Sequence, residues 1–274
     1  MTLRITLLIL FCYTITSLPA LAAELPGFAI AGKPVPVFNT PQSAAPQAPQ
    51  QKDRCGQVRQ LEFIALPGTA FEVVAAPPGS PAVLQVRIND YQAPPGTRLY
   101  VAADLLTPQP TAPPGRTPQR PEPSKIIQQL RSAVGLPYVW GGNLRSGVTV
   151  AGQLRFAGLD CSGLLYEATD GYTPRNTEQL VTFGSPIAIE GKDSHALLQL
   201  LRPLDLIVWK GHVIIVLDQK TVVESILNCG GARDGVVTTT LEKRLEQLLE
   251  QRRPANSWPA GGAKSAYFVV RRWI

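Results

Sequence analysis

Two histidines in 274 residues, His195 and His212, and four cysteines with no Cys-x-x-Cys pair leave little with which to ligate a metal. No structural zinc site and no cofactor are expected. A phosphate loop is missing as well. The segment Gly191-Lys192-Asp193-Ser194 lacks the earlier glycine spacing and has Asp where Ser or Thr should follow the lysine, so nucleotide binding is not supported. Charged residues make up 17% of the chain, and the net charge of +6 is scattered, with no basic helix interleaved with aromatics. Nucleic acid is not an expected partner. The positive balance would suit an anionic wall or membrane face, and a solvated surface is its plainer reading.

Long apolar runs are also absent, except at the start, MTLRITLLILFCYTITSLPALAA. Arg4 is the single charge there, and the run ends in small residues around Ala20 and Ala22. That pattern predicts a secretory signal peptide over 1–23, cleaved after Ala22 or Ala23. Thr14, Thr16 and Ser17 interrupt it, and it is short for a bilayer span, so no stable membrane insertion is expected after cleavage. Cys12 lies inside the apolar core behind bulky Phe11, which argues against a lipid anchor. Cleavage would leave Cys55, Cys161 and Cys229, an odd number in an oxidising compartment. At least one is then free or intermolecular, and whether Cys55 and Cys229 pair is open.

Prolines divide what remains, since 19 of the 26 lie between residues 24 and 123. Residues 24–52, rich in Pro, Gln and Ala, read as a flexible arm. Over 53–106 the runs VRQLEFIAL, AFEVVAA, AVLQVRI and RLYVAADLL alternate with Pro-Gly turns, which predicts a small all-β module of about five strands. LPGTA at 66–70 is read as one such turn. The span 107–123 holds seven prolines in seventeen positions and predicts a semi-rigid linker.

Beyond it, Ser124 reads as the N-cap of a helix with Ile126, Ile127, Leu130 and Val134 on one stripe, ended by Gly135 and Pro137. A second helix should begin near Cys161 and stop at Asp170-Gly171, and a short third should follow Thr173-Pro174. The strands DLIVW, HVIIVLD, TVVES and AYFVVRRWI come next. Helices followed by an antiparallel sheet predict an α+β domain over 124–274. The segment EKRLEQLLEQRR at 242–253 reads as a packed surface helix, and His195 as a surface residue near a helix start.

The chemistry centres on AGLDCSGLLYEA, residues 157–168. A cysteine nucleophile needs a stabilised thiolate, a base and donors for an oxyanion. If Asp160 or Leu159 caps the helix, Cys161 occupies its first turn, where unpaired N–H groups and the helix dipole favour negative charge. His212, at the head of a strand after Lys210-Gly211, can serve as base, and Glu224 one hairpin away can orient the imidazole. Each residue alone has a duller reading: a core or disulfide cysteine, a surface histidine, a charged turn neighbour.

Taken together, Tyr-Val-Trp-Gly-Gly at 138–142, Leu-Asp-Cys-Ser-Gly at 159–163, Pro-Arg-Asn-Thr at 174–177 and the Gly-His-Val of DLIVWKGHVIIVLD resemble the NlpC/p60 family of papain-like cell-wall peptidases. The resemblance covers about 124–230 and includes the closing strand near 266–274. It implies a papain-like NlpC domain of helices packed on an antiparallel sheet. The preceding β module is similar in size to the SH3-like barrels that often accompany such domains. Cys161 matches the family nucleophile, His212 the general base, Glu224 the third polar residue and Tyr138 the tyrosine whose hydroxyl lies near the thiol. Asp160 and Ser162 match residues that help hold the amino end of a stem peptide.

A secreted endopeptidase acting on peptidoglycan stem peptides in the periplasm or cell wall is the implied function, typically at the bond between D-γ-glutamate and the diamino acid. The rivals are an amidase or acyltransferase of the same fold acting on another amide or a lipid, and a non-catalytic wall-binding protein. Three features depart from the family pattern. Glu224 replaces the usual His, Asn or Gln, with Ser225 as an alternative orienting group. Pro203-Leu204-Asp205 replaces Pro-Gly-Asp, where leucine should resist a left-handed turn. An insertion over 143–159 could form a lid or wall.

Overall fold

The structure is a computed structural model in which residues 25–231, 233–259 and 266–274 are described. The expected signal peptide and Cys12 lie outside the described residues. The N-terminal part is an antiparallel sheet of β1 Phe28–Ile30, β2 Val35–Phe38, β3 Leu61–Ala65, β4 Ala70–Ala75, β5 Val83–Ile88, β6 Leu99–Ala102 and β7 Thr107–Gln109. Its order is β3-β2-β6-β5-β4-β1-β7, seven strands, of which four, β3 to β6, lie in the 53–106 span where the turn spacing predicted about five.

The additional strands come from segments that composition assigned elsewhere. The expected flexible arm supplies β1, β2 and the short helix α1, Pro41–Ala44, and it buries Ala29, Val35, Val37 and Phe38. Pro36 conceals β2 in the sequence, yet the sheet accommodates it. Ile64, opposite Pro36, directs both backbone groups to the Asn143 side chain, so the pair shares no ladder bond. On the other side β2 meets β6 at Phe38 alone, which leaves Pro36 where proline is tolerated. The expected linker begins as β7, paired with β1. Further along it, Arg116 donates to the Asp170 carbonyl at 3.0 Å, holding the segment against the second part of the chain.

That second part opens with α2, Pro123–Ser132. Pro123 takes the first helical position, where a missing N–H costs nothing, so Ser124 lies inside the helix and Glu122 is its N-cap. Ile126 and Leu130 are buried as expected, whereas Val134 falls past the helix end and is exposed. Short pairs follow: β8 Asn143–Leu144 with β11 Gly158–Leu159, and between them the hairpin β9 Val148–Val150 with β10 Gln153–Arg155. Next come α3 Cys161–Ala168, α4 Thr177–Leu180, β12 Ser185–Pro186, α5 Ser194–Leu200, β13 Leu206–Trp209, β14 His212–Val216, β15 Thr221–Ile226, β16 Gly235–Thr240, α6 Leu241–Gln251, β17 Arg253–Pro254 and β18 Tyr267–Arg272. The main sheet runs β12-β18-β13-β14-β15-β16, antiparallel throughout, with β17 joined parallel to β18.

Its central strands are apolar at nearly every position because both faces are covered. Leu206, Val208, Val213, Ile215 and Val269 pack with Ile126, Leu130, Leu164 and Leu165 of α2 and α3. The alternate residues Ile207, Ile214, Val216 and Phe268 pack with Leu197 of α5 and Leu241, Leu245 and Leu248 of α6. The period-2 alternation of a strand thus assigns successive residues to two cores.

One further expectation is corrected here, and one open question is answered. Leu204 does adopt the left-handed region, at φ 69°. Its N–H donates to Val216 O at 2.7 Å and its side chain is buried, gains that offset the roughly 1–2 kcal/mol cost of that backbone. Cys55 and Cys229, whose pairing was open, form a disulfide between the two parts of the chain, and Cys161 is free and buried.

Candidate active site

Backbone proximity explains why the two glycine-containing motifs belong together. Asp160 N–H donates to Gly142 O at 2.9 Å, and a Cβ on Gly163 would collide with that same carbonyl. Only glycine lets α3 approach the Tyr-Val-Trp-Gly-Gly segment so closely. Asp160 caps α3, its Oδ1 accepting from Gly163 N–H at 2.6 Å. Cys161 is therefore the first helical residue, and its N–H has no intrahelical acceptor.

The β13–β14 turn delivers the base. Gly211, at φ 114°, reverses the chain so that His212 opens β14 opposite Trp209. The Cys161 Sγ lies 3.9 Å from Gly211 O. His212 Nε2 bonds Glu224 Oε2 at 2.7 Å, so Nδ1 is the ring nitrogen left for another partner, and Cys161 is the second group whose proximity raises the imidazole. Glu224 is 1% exposed in the middle of β15. Ser225, one residue on, points away and donates to Leu159 O at 2.7 Å. Of the two candidates for the third position, Glu224 contacts the imidazole.

A partner that the sequence reading did not identify holds Glu224. Arg244, on α6, donates from Nε to Oε1 at 2.7 Å and from its terminal nitrogen to Oε2 at 3.0 Å. The helix read as a plain surface element thus reaches the candidate site. Burial would raise the Glu224 pKa, but the bonds to His212 and Arg244 bring it down to about 2. Burial would likewise lower His212, yet its bonds to Cys161 and Glu224 carry it up to about 9.

These shifts fix a pH window. An imidazole raised from 6.5 to about 9 contributes stability that is complete below pH 6.5 and lost as pH rises to about 9. A carboxyl lowered from 4.5 to about 2 contributes above 4.5 and loses that stability as pH falls through about 2. The thermal midpoint of the wild type should therefore decline between about pH 6.5 and 9, and His212→Ala should flatten that decline. Equal slopes in the two proteins would show that folding does not favour the imidazolium.

A cleft of about 230 Å³ opens over the thiol, lined by Tyr138, Asp160, Cys161 and Ser162 as the motifs suggested. Burial, with Asp160 and Cys161 near, holds the Tyr138 phenol above its ordinary pKa. Asp160 and Ser162 are not free, however. Buried Arg175 donates to Asp160 Oδ1 at 3.0 Å and Oδ2 at 2.7 Å, and to Ser162 Oγ at 2.9 Å. The same guanidinium reaches Asn143 Oδ1 at 3.2 Å, and Asn143 pairs with the edge of β3. One network thus joins the thiol helix to the β module. That module also walls the cleft with Glu62 and Tyr91. Glu62 accepts from Asn39 at 2.7 Å and from the Tyr91 hydroxyl at 2.7 Å. His195 lies exposed on α5 and takes no part.

By sequence, no protein-family model and no curated protein matches the chain. By structure, an NlpC/P60 family protein from Bacillus cereus is 15% identical and aligns over 90% of this chain and 99% of its own, with a TM-score of 0.55. The peptidoglycan hydrolase RipB of Mycobacterium tuberculosis is 22% identical over 56% of this chain and 64% of its own, at a TM-score of 0.34. RipD of the same organism, described as a non-catalytic NlpC/p60 domain protein adapted to peptidoglycan binding, is 20% identical over 56% of this chain and 97% of its own, also at 0.34. The α+β, papain-like NlpC/P60 fold is the fold of this chain, and the Bacillus cereus likeness extends through its N-terminal sheet.

Proposed function

We propose that this chain, built on the NlpC/P60 fold, is a secreted cysteine peptidase that hydrolyses amide bonds in peptidoglycan stem peptides, at the bond between D-γ-glutamate and the diamino acid. The observation that carries the reading is the Cys161 thiol at a helix start, 3.9 Å from the carbonyl of Gly211 that precedes His212, with His212 Nε2 held at 2.7 Å by the Glu224 carboxylate. No helix among the described residues is long and apolar enough to cross a membrane, which is compatible with action outside the cytoplasm.

The reacting pair is the Cys161 thiolate beside the His212 imidazolium, which Glu224 stabilises and which keeps its proton up to about pH 9. The thiolate adds to the amide carbon, and the Cys161 N–H donates to the oxygen that gains charge. As the C–N bond breaks, His212 returns its proton to the departing amine, which leaves a thioester on Cys161. His212 then takes a proton from water, whose oxygen attacks the thioester and releases the acid. Tyr138 shapes the cleft beside the sulfur.

Substrate charge is met at Glu62. Arg175 already neutralises Asp160, so the amino end expected there finds a better partner in Glu62, whose two present donors, Asn39 and Tyr91, are both neutral. An ammonium bound at Glu62 would contact the β module and the thiol domain together.

The test is product identity. Purified muropeptides incubated with the protein should yield one new amine and one new acid per cut, located by mass spectrometry at the γ-glutamyl bond. Transfer to another acceptor would yield a conjugate and favour the acyltransferase rival. Binding with no product would favour the wall-binding rival, and identical products from Cys161→Ala would overturn the assignment of the thiol.

A further inference from the structure

Resting on the peptidase reading above, we infer that Arg244 is a positioning residue for the reaction: by clamping Glu224 it keeps that carboxylate aimed and charged in both protonation states of His212, so the imidazole can pass its proton on and take one back.

Burial creates the need for a clamp. Glu224 is 1% exposed in the middle of β15. A neutral orienting group could sit there unaided, whereas a carboxylate out of water requires a counter-charge. His212 supplies one only while its ring is protonated. The ring starts protonated beside the thiolate, becomes neutral when it gives its proton to the departing amine nitrogen, and is protonated again as water adds to the thioester. In the neutral interval only Arg244 balances Glu224.

The geometry suits that task. The guanidinium donates to Oε1 at 2.7 Å and to Oε2 at 3.0 Å, so both oxygens are held, and Oε2 is shared with His212 Nε2 at 2.7 Å. Two-point contact fixes the plane of the carboxylate as well as its place. Arg244 is 15% exposed at its side chain, and a guanidinium stays charged at any working pH.

The other charges near the ring are few. Cys161 on α3 faces it. Trp209 on β13 packs against it at 5.1 Å, and Arg252, at the end of α6, lies 4.3 Å over the Trp209 ring. Burial and the charge of Arg244 both hold Arg252 below its ordinary pKa, so α6 brings two guanidinium groups within reach of each other. Lys210, at the turn before His212, is paired with Glu178 of α4. The α6 cations oppose the pull of Glu224 and the thiolate, and so favour release of the ring proton.

The chain has two histidines, so the imidazole of His212 can be titrated by NMR, with exposed His195 as internal reference and His195→Gln to assign the signals. In Arg244→Gln, which keeps a donor and loses the charge, the His212 midpoint should rise from about 9 by roughly one pH unit or more, because the ring proton is then the counter-charge left to Glu224. Arg244→Lys, which keeps the charge, should leave the midpoint in place. Arg244→Met, which continues the apolar stripe of α6, takes the place of the glutamine variant if that one does not fold. A midpoint that stays or falls in a folded neutral variant overturns the clamp. On muropeptides the neutral variant should lose roughly tenfold or more in kcat with KM unchanged, since Arg244 is not among the residues lining the thiol cleft. The alkaline limb of its rate profile should move with the NMR midpoint. A lower kcat with the limb unmoved would mean that Arg244 only supports the fold, and would overturn the clamp as well. A midpoint that rises as expected in a protein that cuts no muropeptide sinks the peptidase reading and leaves the clamp standing.

Discussion

Alanine at Cys161 or at His212 is expected to lower hydrolysis by about 10⁶-fold, and alanine at both should lower it no further. The two groups act as a unit, since the thiol cannot shed its proton without the imidazole and the imidazole has nothing to activate without the thiol. Glu224→Ala should fall less far, by about 10⁴-fold, because Cys161 and His212 stay in place and only the alignment and stabilisation of the imidazolium are lost. Two secondary effects distinguish this model from simple unfolding. Glu224→Ala strands Arg244, 15% exposed, opposite a cavity, and so destabilises the protein, whereas Cys161→Ala changes the thermal midpoint little. Glu224→Gln keeps an acceptor for Nε2 but lacks the charge, and should lie between wild type and alanine. Single-turnover rates on one purified muropeptide, set beside thermal midpoints, measure all of these. Additive losses in the double variant, or a Glu224→Ala rate within tenfold of wild type, would contradict the unit.

The sequence exposed the parts of this site whose chemistry is local. Asp160 and Cys161 are neighbours, and the helix start that positions the thiol is written in the same five residues. His212 follows a glycine turn, and Glu224 lies on the next strand. Arg244 is different, because its role depends on how α6 lies against the sheet. A signal did exist: in the helix Leu241–Gln251 the buried positions are Leu241, Leu245 and Leu248, and 244 falls on that stripe, where an aliphatic residue would normally sit. A cation in an apolar stripe needs a buried anion, and Glu224 was the available one.

The N-terminal strands were hidden for another reason. β1 and β2 are three and four residues long, and one contains a proline, so no window of composition separates them from a disordered arm. Their stability comes from β3, β4 and β6, partners distant in sequence. Leu204 illustrates the same limit, since nothing local favours its left-handed backbone and only the buried side chain and the bond to Val216 explain it.

Arg175→Leu is expected to give the largest loss of stability of any single change considered, about 3–5 kcal/mol, because it leaves the Asp160 carboxylate buried without a counter-charge. The pair is 2% and 12% exposed at its side chains and bidentate, and it also secures Ser162 and Asn143. Asp160→Leu should cost a similar amount, since it strands the guanidinium and removes the cap of α3. The double variant Asp160→Leu/Arg175→Leu should recover much of the loss, because two apolar groups replace two charges that were costly to bury. Recovery should stop roughly 1 kcal/mol short, the worth of the N-cap that Asp160 provides to Gly163. Denaturant midpoints at neutral pH for the four proteins give this cycle directly. If the single losses simply add in the double variant, Arg175 and Asp160 do not act through each other. If the double variant regains stability yet cuts muropeptides poorly, the ion pair is retained for aligning the thiol helix with the β module rather than for stability.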